Sequence, residues 1–202
     1  MSRTEDAGEN IAIEKSAIKR RELTGEELFS HYLAGDEYAF EDLVALYEGD
    51  LSRFINSKIN DFYETKHLTI EAFGQLAVNG RKFAGQSTLK TYLFTIARNL
   101  VAKHLKARKK YEHISYDEIV YDISDDGQTP SDYMENEETK NTLHEVMKGL
   151  KDEYYQTLTL IYFEDMSYRQ AGKVMGKSEK QVKDLAYRAK QSLKKKLEGV
   201  NI

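Results

Sequence analysis

The sequence predicts an all-α protein, with two small helical domains joined by a flexible acidic linker. Three observations predict it. Only 1 proline stands in 202 residues rich in Leu, Ala, Glu and Lys, all good helix formers. Apolar residues recur at three- and four-residue spacing over most of the chain. Charge falls into blocks. The net charge is -4, yet residues 81–110 carry 9 Lys/Arg and 0 acids, and residues 167–196 carry 10 against 2. Residues 111–140, between them, carry 1 against 10. Two basic blocks divided by an acidic one predict two separate surfaces for a polyanion.

Residues 1–22 are polar and weakly patterned, which predicts a mobile tail. Thr24 with Glu27 three residues on is a capping box, and Leu28, Phe29, Tyr32 and Leu33 follow at helical spacing. Gly35-Asp36 breaks that helix, and Asp36 caps the next. Phe40, Leu43, Val44, Tyr47, Leu51, Phe54, Ile55 and Ile59 give it a long apolar stripe. A third helix is expected from about Leu68 to Val78. The loop RKFAGQS, residues 81–87, hinges at Gly85, and Ser87 or Thr88 caps a long fourth helix. There Leu93, Ile96, Ala97, Leu100, Val101, His104 and Leu105 share one face. Arg98, Lys103, Lys106, Arg108 and Lys109 lie largely off it.

Residues 111–140 read as a tether, broken by Asp122, Asp125, Asp126, Gly127 and Pro130. Periodicity resumes with Leu143, Val146, Met147 and Leu150, then Tyr154, Leu158, Ile161 and Tyr162. The segment from Ser167 to Leu193 has the spacing of a helix-turn-helix. Ser167 caps a short helix, Gly172 allows a close crossing, Gly176 supplies a positive φ, and Ser178 caps the second helix. Val182, Leu185, Ala186, Ala189 and Leu193 form its buried stripe, which turns Gln181, Lys183, Asp184, Tyr187, Arg188 and Lys190 outward. Such a helix enters the DNA major groove with its first turns at base edges. Lys177 departs from the pattern, because that turn position is usually apolar.

Other classes fit less well. With 0 Cys the chain suits a reducing compartment and has no thiolate ligands, and MSRTEDAGEN lacks the apolar core of a signal peptide. No apolar run approaches the ~20 residues of a membrane span, so a cytoplasmic protein is expected. No nucleophile–base pair, metal-spaced His set or phosphate-binding Gly loop is present. Neither enzyme activity nor a cofactor is expected.

FAGQSTLKTYLFTIARNLVAKHLKARKK, residues 83–110, resembles the promoter-melting part of sigma-70 family RNA polymerase sigma factors, most closely the extracytoplasmic-function (ECF) type. The family pattern F-x-G-x-S-x-x-T-W-L-x-x-I-A-R-N stands here as Phe83, Gly85, Ser87, Thr91, Tyr92, Leu93, Ile96, Ala97, Arg98 and Asn99. Residues 150–193 resemble region four of the same family. The two matches, in this order with an acidic linker, cover residues of about 27–110 and 141–197.

The resemblance implies region two at 23–110, a linker at 111–140 and region four at 141–198. It implies three partners: core RNA polymerase, promoter DNA as duplex and melted strand, and, in some members, an anti-sigma factor. Region two would open the minus-ten element, with Arg98, Asn99, Lys103, His104 and Lys106 on the duplex or its phosphates. Lys90, Thr91 and Tyr92 would lie nearer the opened strand. Region four would read the minus-thirty-five element through Gln181, Lys183, Tyr187 and Arg188, with Ser178 and Lys180 near phosphates. Core polymerase would be gripped by Leu68, Ile70, Glu71 and Phe73. There the family's usual acidic pair is replaced by Lys66 and His67, and its Gln by Ile70. The rival reading is a helix-turn-helix regulator without sigma activity, which leaves the match from Phe83 to Asn99 unexplained.

Overall fold

A computed structural model describes residues 23–115, 147 and 149–199, and every regular element among them is helical. The sequence-expected tail at 1–22 and most of the acidic linker lie outside the described residues. Helix α1 (Gly25–Leu33) opens on the expected box: the Glu27 amide donates to Thr24 Oγ1 at 3.3 Å, and the Thr24 amide to Glu27 Oε2 at 2.8 Å. Asp36 caps α2 (Glu37–Ile59) by accepting from the Ala39 amide. Helix α3 (Phe62–Asn79) starts earlier than the apolar pattern predicts. Asn60 turns the chain in the left-handed region at φ 51°, and Asp61 then accepts from the Glu64 amide at 2.9 Å. The first turn is therefore set by a polar cap and carries mostly exposed residues, which apolar periodicity cannot register.

A 3-10 turn (Gly80–Lys82) and the loop 83–88 lead into α4 (Leu89–Ser115), which extends past the expected boundary at 110. Thr88, rather than Ser87, is its cap, accepting from the Thr91 amide at 3.3 Å. The Leu89 amide donates to Glu26 Oε1 of α1 at 2.8 Å, so α1 also helps to cap α4. Leu43, Leu51, Phe54, Ile55, Leu76, Leu89, Leu93 and Phe94 fill the middle of the α1–α4 bundle. Each contributes about 1.5–3 kcal/mol by leaving water.

The second half comprises α5 (Asp152–Leu158), a π turn (Thr159–Phe163), α6 (Tyr168–Met175) and α7 (Glu179–Gly199). Met147, Leu150, Leu158 and Ala189 form a small core of its own. Leu160, Met166, Ala171, Val174 and Val182 belong instead to the apolar cluster of the α1–α4 bundle. The two helical units therefore share a seam, formed chiefly by α4 and α6.

Candidate nucleic-acid interface

The loop before α4 is built around packed aromatic rings. Phe83 and Tyr92 have centroids 5.2 Å apart, and Phe83 meets Phe29 edge-on at 6.3 Å. Gly85 (φ +67°) bends the loop, and a cavity of about 240 Å³ opens there, lined by Lys82, Phe83, Ala84, Gln86, Ser87, Tyr92 and Lys173. Aromatic walls with flanking lysines suit an unstacked base and its phosphate. Along α4, Asn99, Lys103, Lys106 and Lys109 are exposed, and Arg98 is half-buried, its Nε donating to Asn99 Oδ1 at 3.3 Å. His104 is also half-buried, with Nδ1 3.5 Å from Glu64 Oε2.

Two strand-facing expectations need correction. Thr91 is 1% exposed, and its hydroxyl lies 2.8 Å from that of Thr88. It shapes the helix start and offers no surface to a strand in the free chain. Lys90 turns towards the seam: Nζ lies 3.1 Å from Asp50 Oδ2 and 2.8 Å from Glu164 Oε2.

The helix-turn-helix is assembled as its spacing predicts. Ser167 Oγ accepts from the Gln170 amide, and the Gln170 carboxamide oxygen accepts from the Ser167 amide at 2.8 Å. A Cβ on Gly172 would stand 2.7 Å from the Lys177 carbonyl oxygen, so only glycine fits this crossing. Gly176 takes φ +66°, a left-handed helix end. Ser178 Oγ accepts from the Gln181 amide, and the Gln181 carboxamide oxygen accepts from the Ser178 amide at 2.8 Å. Gln181 is thus partly committed to the cap. Lys180, Lys183, Asp184, Arg188 and Lys190 are exposed beside Tyr187, which is 67% exposed. Lys183 pairs with Glu179 at 2.7 Å, which raises its pKa. The unusual Lys177 pairs with Glu153 at 2.9 Å.

The residues expected to grip the polymerase divide. Leu68 (4% exposed) and Phe73 (5% exposed) are bundle core, so any direct contact passes to their neighbours. Ile70 is 63% exposed, and Glu71 is half-buried, accepting from Gln75. Tyr63, His67, Ile70, Gly74 and Val78 make one exposed stripe along α3.

Sequence reasoning missed Glu164. This buried carboxylate follows the run Leu160 to Phe163, where helical periodicity predicts a continuing helix. Burial and the nearby Asp50 carboxylate raise its pKa to about 7, against the pull of Lys90. Asp50 also faces Arg53, completing the charged groups around the seam. In the unfolded chain this carboxyl has its ordinary value of 4.5, so its protonated form stabilises the fold below that value and is lost as pH rises to about 7. The urea midpoint should therefore fall with rising pH across this window, by the equivalent of ~2 kcal/mol, and Glu164→Gln should flatten the profile. Parallel profiles for the two proteins would refute this.

Residues 140–193 match the family model for "Sigma-70, region 4". The second half is therefore a sigma-type helix-turn-helix domain. The chain is 30% identical over 154 residues to the ECF RNA polymerase sigma factor SigM of Bacillus subtilis, covering 76% of this chain and 92% of that protein. It is 27% identical over 184 residues to the RNA polymerase sigma-H factor of Pseudomonas aeruginosa, covering 86% of this chain and 93% of the other. The fold is shared with the sigma factor RpoE from Bartonella quintana, solved with the anti-sigma factor NepR (TM-score 0.62, 20% identity, 79% of this chain and 96% of that one). CnrH, solved with the cytosolic domain of CnrY, is similar at TM-score 0.59 and 17% identity, over 86% of this chain and 97% of that one. The chain belongs to the ECF RNA polymerase sigma factors.

Proposed function

We propose that the chain binds core RNA polymerase in the cytoplasm and carries it to promoters, with the work divided between its two helical units. The α1–α4 unit opens the minus-ten element. The ring-lined loop takes an unstacked base while Arg98, Asn99, Lys103, His104 and Lys106 follow the duplex and its phosphates. The α5–α7 unit reads the minus-thirty-five element in the major groove with Gln181, Lys183, Tyr187 and Arg188, while Ser178 and Lys180 meet phosphates. Asp184 on the same face accepts from a cytosine amino group or excludes a phosphate. An anti-sigma factor is a further partner by analogy with the RpoE complex with NepR. The observation that carries the reading is the coexistence, in one chain, of an aromatic pocket beside an exposed basic helix and a capped helix-turn-helix.

The polymerase-facing surface is the α3 stripe centred on Ile70, which is 63% exposed and stands where the family pattern has Gln. Run-off transcription with purified core enzyme tests both points. The wild-type chain should give promoter-dependent transcripts. Ile70→Lys should lower core affinity about tenfold, as expected of an interface side chain, and leave free-chain DNA binding unchanged. No transcripts from the wild type, with duplex binding intact, would favour a regulator without sigma activity.

A further inference from the structure

The cap of α7 decides which end of the Gln181 carboxamide is free. One end accepts from the Ser178 amide at 2.8 Å, and because an N–H only donates, that end is the oxygen. The carboxamide nitrogen has no partner among the described residues, and the residue is exposed. The chain holds a second copy of this device that is already engaged. Gln170 closes the cap of α6 in the same way, its Oε1 accepting from the Ser167 amide, and its Nε2 donates away from the cap to Thr88 Oγ1 at 3.2 Å. A capping glutamine of this kind offers donors to whatever it meets. At Gln181 those donors stand at the start of the helix assigned above to the major groove.

That restriction sorts the bases. Two-point pairing of glutamine with adenine needs the amide oxygen as acceptor, and here the cap holds that oxygen. Guanine offers two acceptors, O6 and N7, one for each amide hydrogen, whereas thymine offers O4 alone beside its methyl group.

Asp184 lies three residues on, along the same strip of the helix. Its carboxylate forms neither a hydrogen bond nor an ion pair among the described residues, although Lys180 and Arg188 stand one turn to either side. An acid facing a polyanion opposes binding unless a donor meets it. In the major groove the base-edge donors are the amino groups of cytosine and adenine. Adenine sets its N7 acceptor beside the amino group, which repels a carboxylate, so cytosine is the better partner. Three residues advance about 4.5 Å along a helix, close to the rise of about 3.4 Å per base pair, so the two side chains address neighbouring pairs.

We propose that Gln181 and Asp184 together set the minus-thirty-five sequence: Gln181, held donor-outward by the Ser178 cap, selects a guanine, and Asp184 selects a cytosine at the neighbouring base pair. This deepens the reading of α7 given above and rests on it.

The full chain, alone and with core RNA polymerase, can be made to select from duplexes randomised over the minus-thirty-five region. The wild type should recover a guanine and a cytosine at neighbouring pairs, with the other bases about tenfold weaker at each. Gln181→Glu keeps the cap, since a carboxylate oxygen also accepts from the Ser178 amide, but turns an acceptor outward. Its pool should exchange that guanine for cytosine. Asp184→Asn should exchange the cytosine for adenine, the two-point partner of a carboxamide. Circular dichroism would verify that both variants are folded. An unchanged base preference in Gln181→Glu would leave Gln181 as a cap alone, and an Asp184→Asn chain that binds all sequences more tightly alike would leave Asp184 as a repulsive charge; either result would overturn the proposal. A wild-type pool with no preferred sequence would instead count against α7 as the reading helix.

Discussion

Gly172→Val should unfold the helix-turn-helix at denaturant concentrations that leave the wild type intact. Even the first added carbon would stand 2.7 Å from the Lys177 carbonyl oxygen. That oxygen belongs to the backbone of the turn and cannot swing aside as a side chain does. The Gly172 carbonyl also accepts from the Lys177 amide at 2.9 Å, so retreat of the turn would break the bond that closes it. Overpacking a core commonly costs about 1–3 kcal/mol, and a backbone obstacle puts this substitution at or above about 3 kcal/mol. The measurement is urea unfolding followed by duplex affinity, which should fall together. An unchanged midpoint would mean that α6 and α7 cross elsewhere.

Phe94→Ala should be comparably severe but act on the other unit. The ring is 0% exposed, stands 5.2 Å from Phe54, and has Lys90 Nζ 5.7 Å from its centre. Truncation removes a large buried area and leaves a cavity between α2 and α4, at a cost of about 3–5 kcal/mol. It also removes one wall of the Lys90 site. Thermal melting should therefore show a lowered midpoint, together with weakened docking of α6. A midpoint within a degree of wild type would contradict the packing described here.

What could be read in the sequence follows from how local each cause is. Thr24 with Glu27, Asp36 and Ser167 are caps whose partners lie three residues away, so their chemistry is visible in a short window. Gly172 and Gly176 were legible for the same reason, since a turn of fixed geometry restricts both. The outward set on α7 followed from its apolar stripe. The early start of α3 escaped because Asp61 and Asn60 set it before any apolar residue repeats. Thr91 misled because a helix pressed on several sides buries polar positions too, and Lys90 because its partners lie on α2 and beyond α5. Leu68 and Phe73 matched a pattern associated with a surface role, whereas Ile70, between them, is the residue exposed to solvent. The π turn has no periodic signature, so Glu164 and the seam became evident only in three dimensions.

Helix α4 runs unbroken for 27 residues, from the ring-lined loop to Ser115. At 1.5 Å per residue it is a rod of roughly 40 Å, as long as roughly twelve base pairs of duplex. It can therefore serve as a ruler. With an opened base held at one end, as proposed above, its far end would set how far upstream the duplex is tracked. An insertion of one helical turn in its exposed part would move that point by about 5.4 Å and rotate it little, whereas two added residues would swing it to the opposite side.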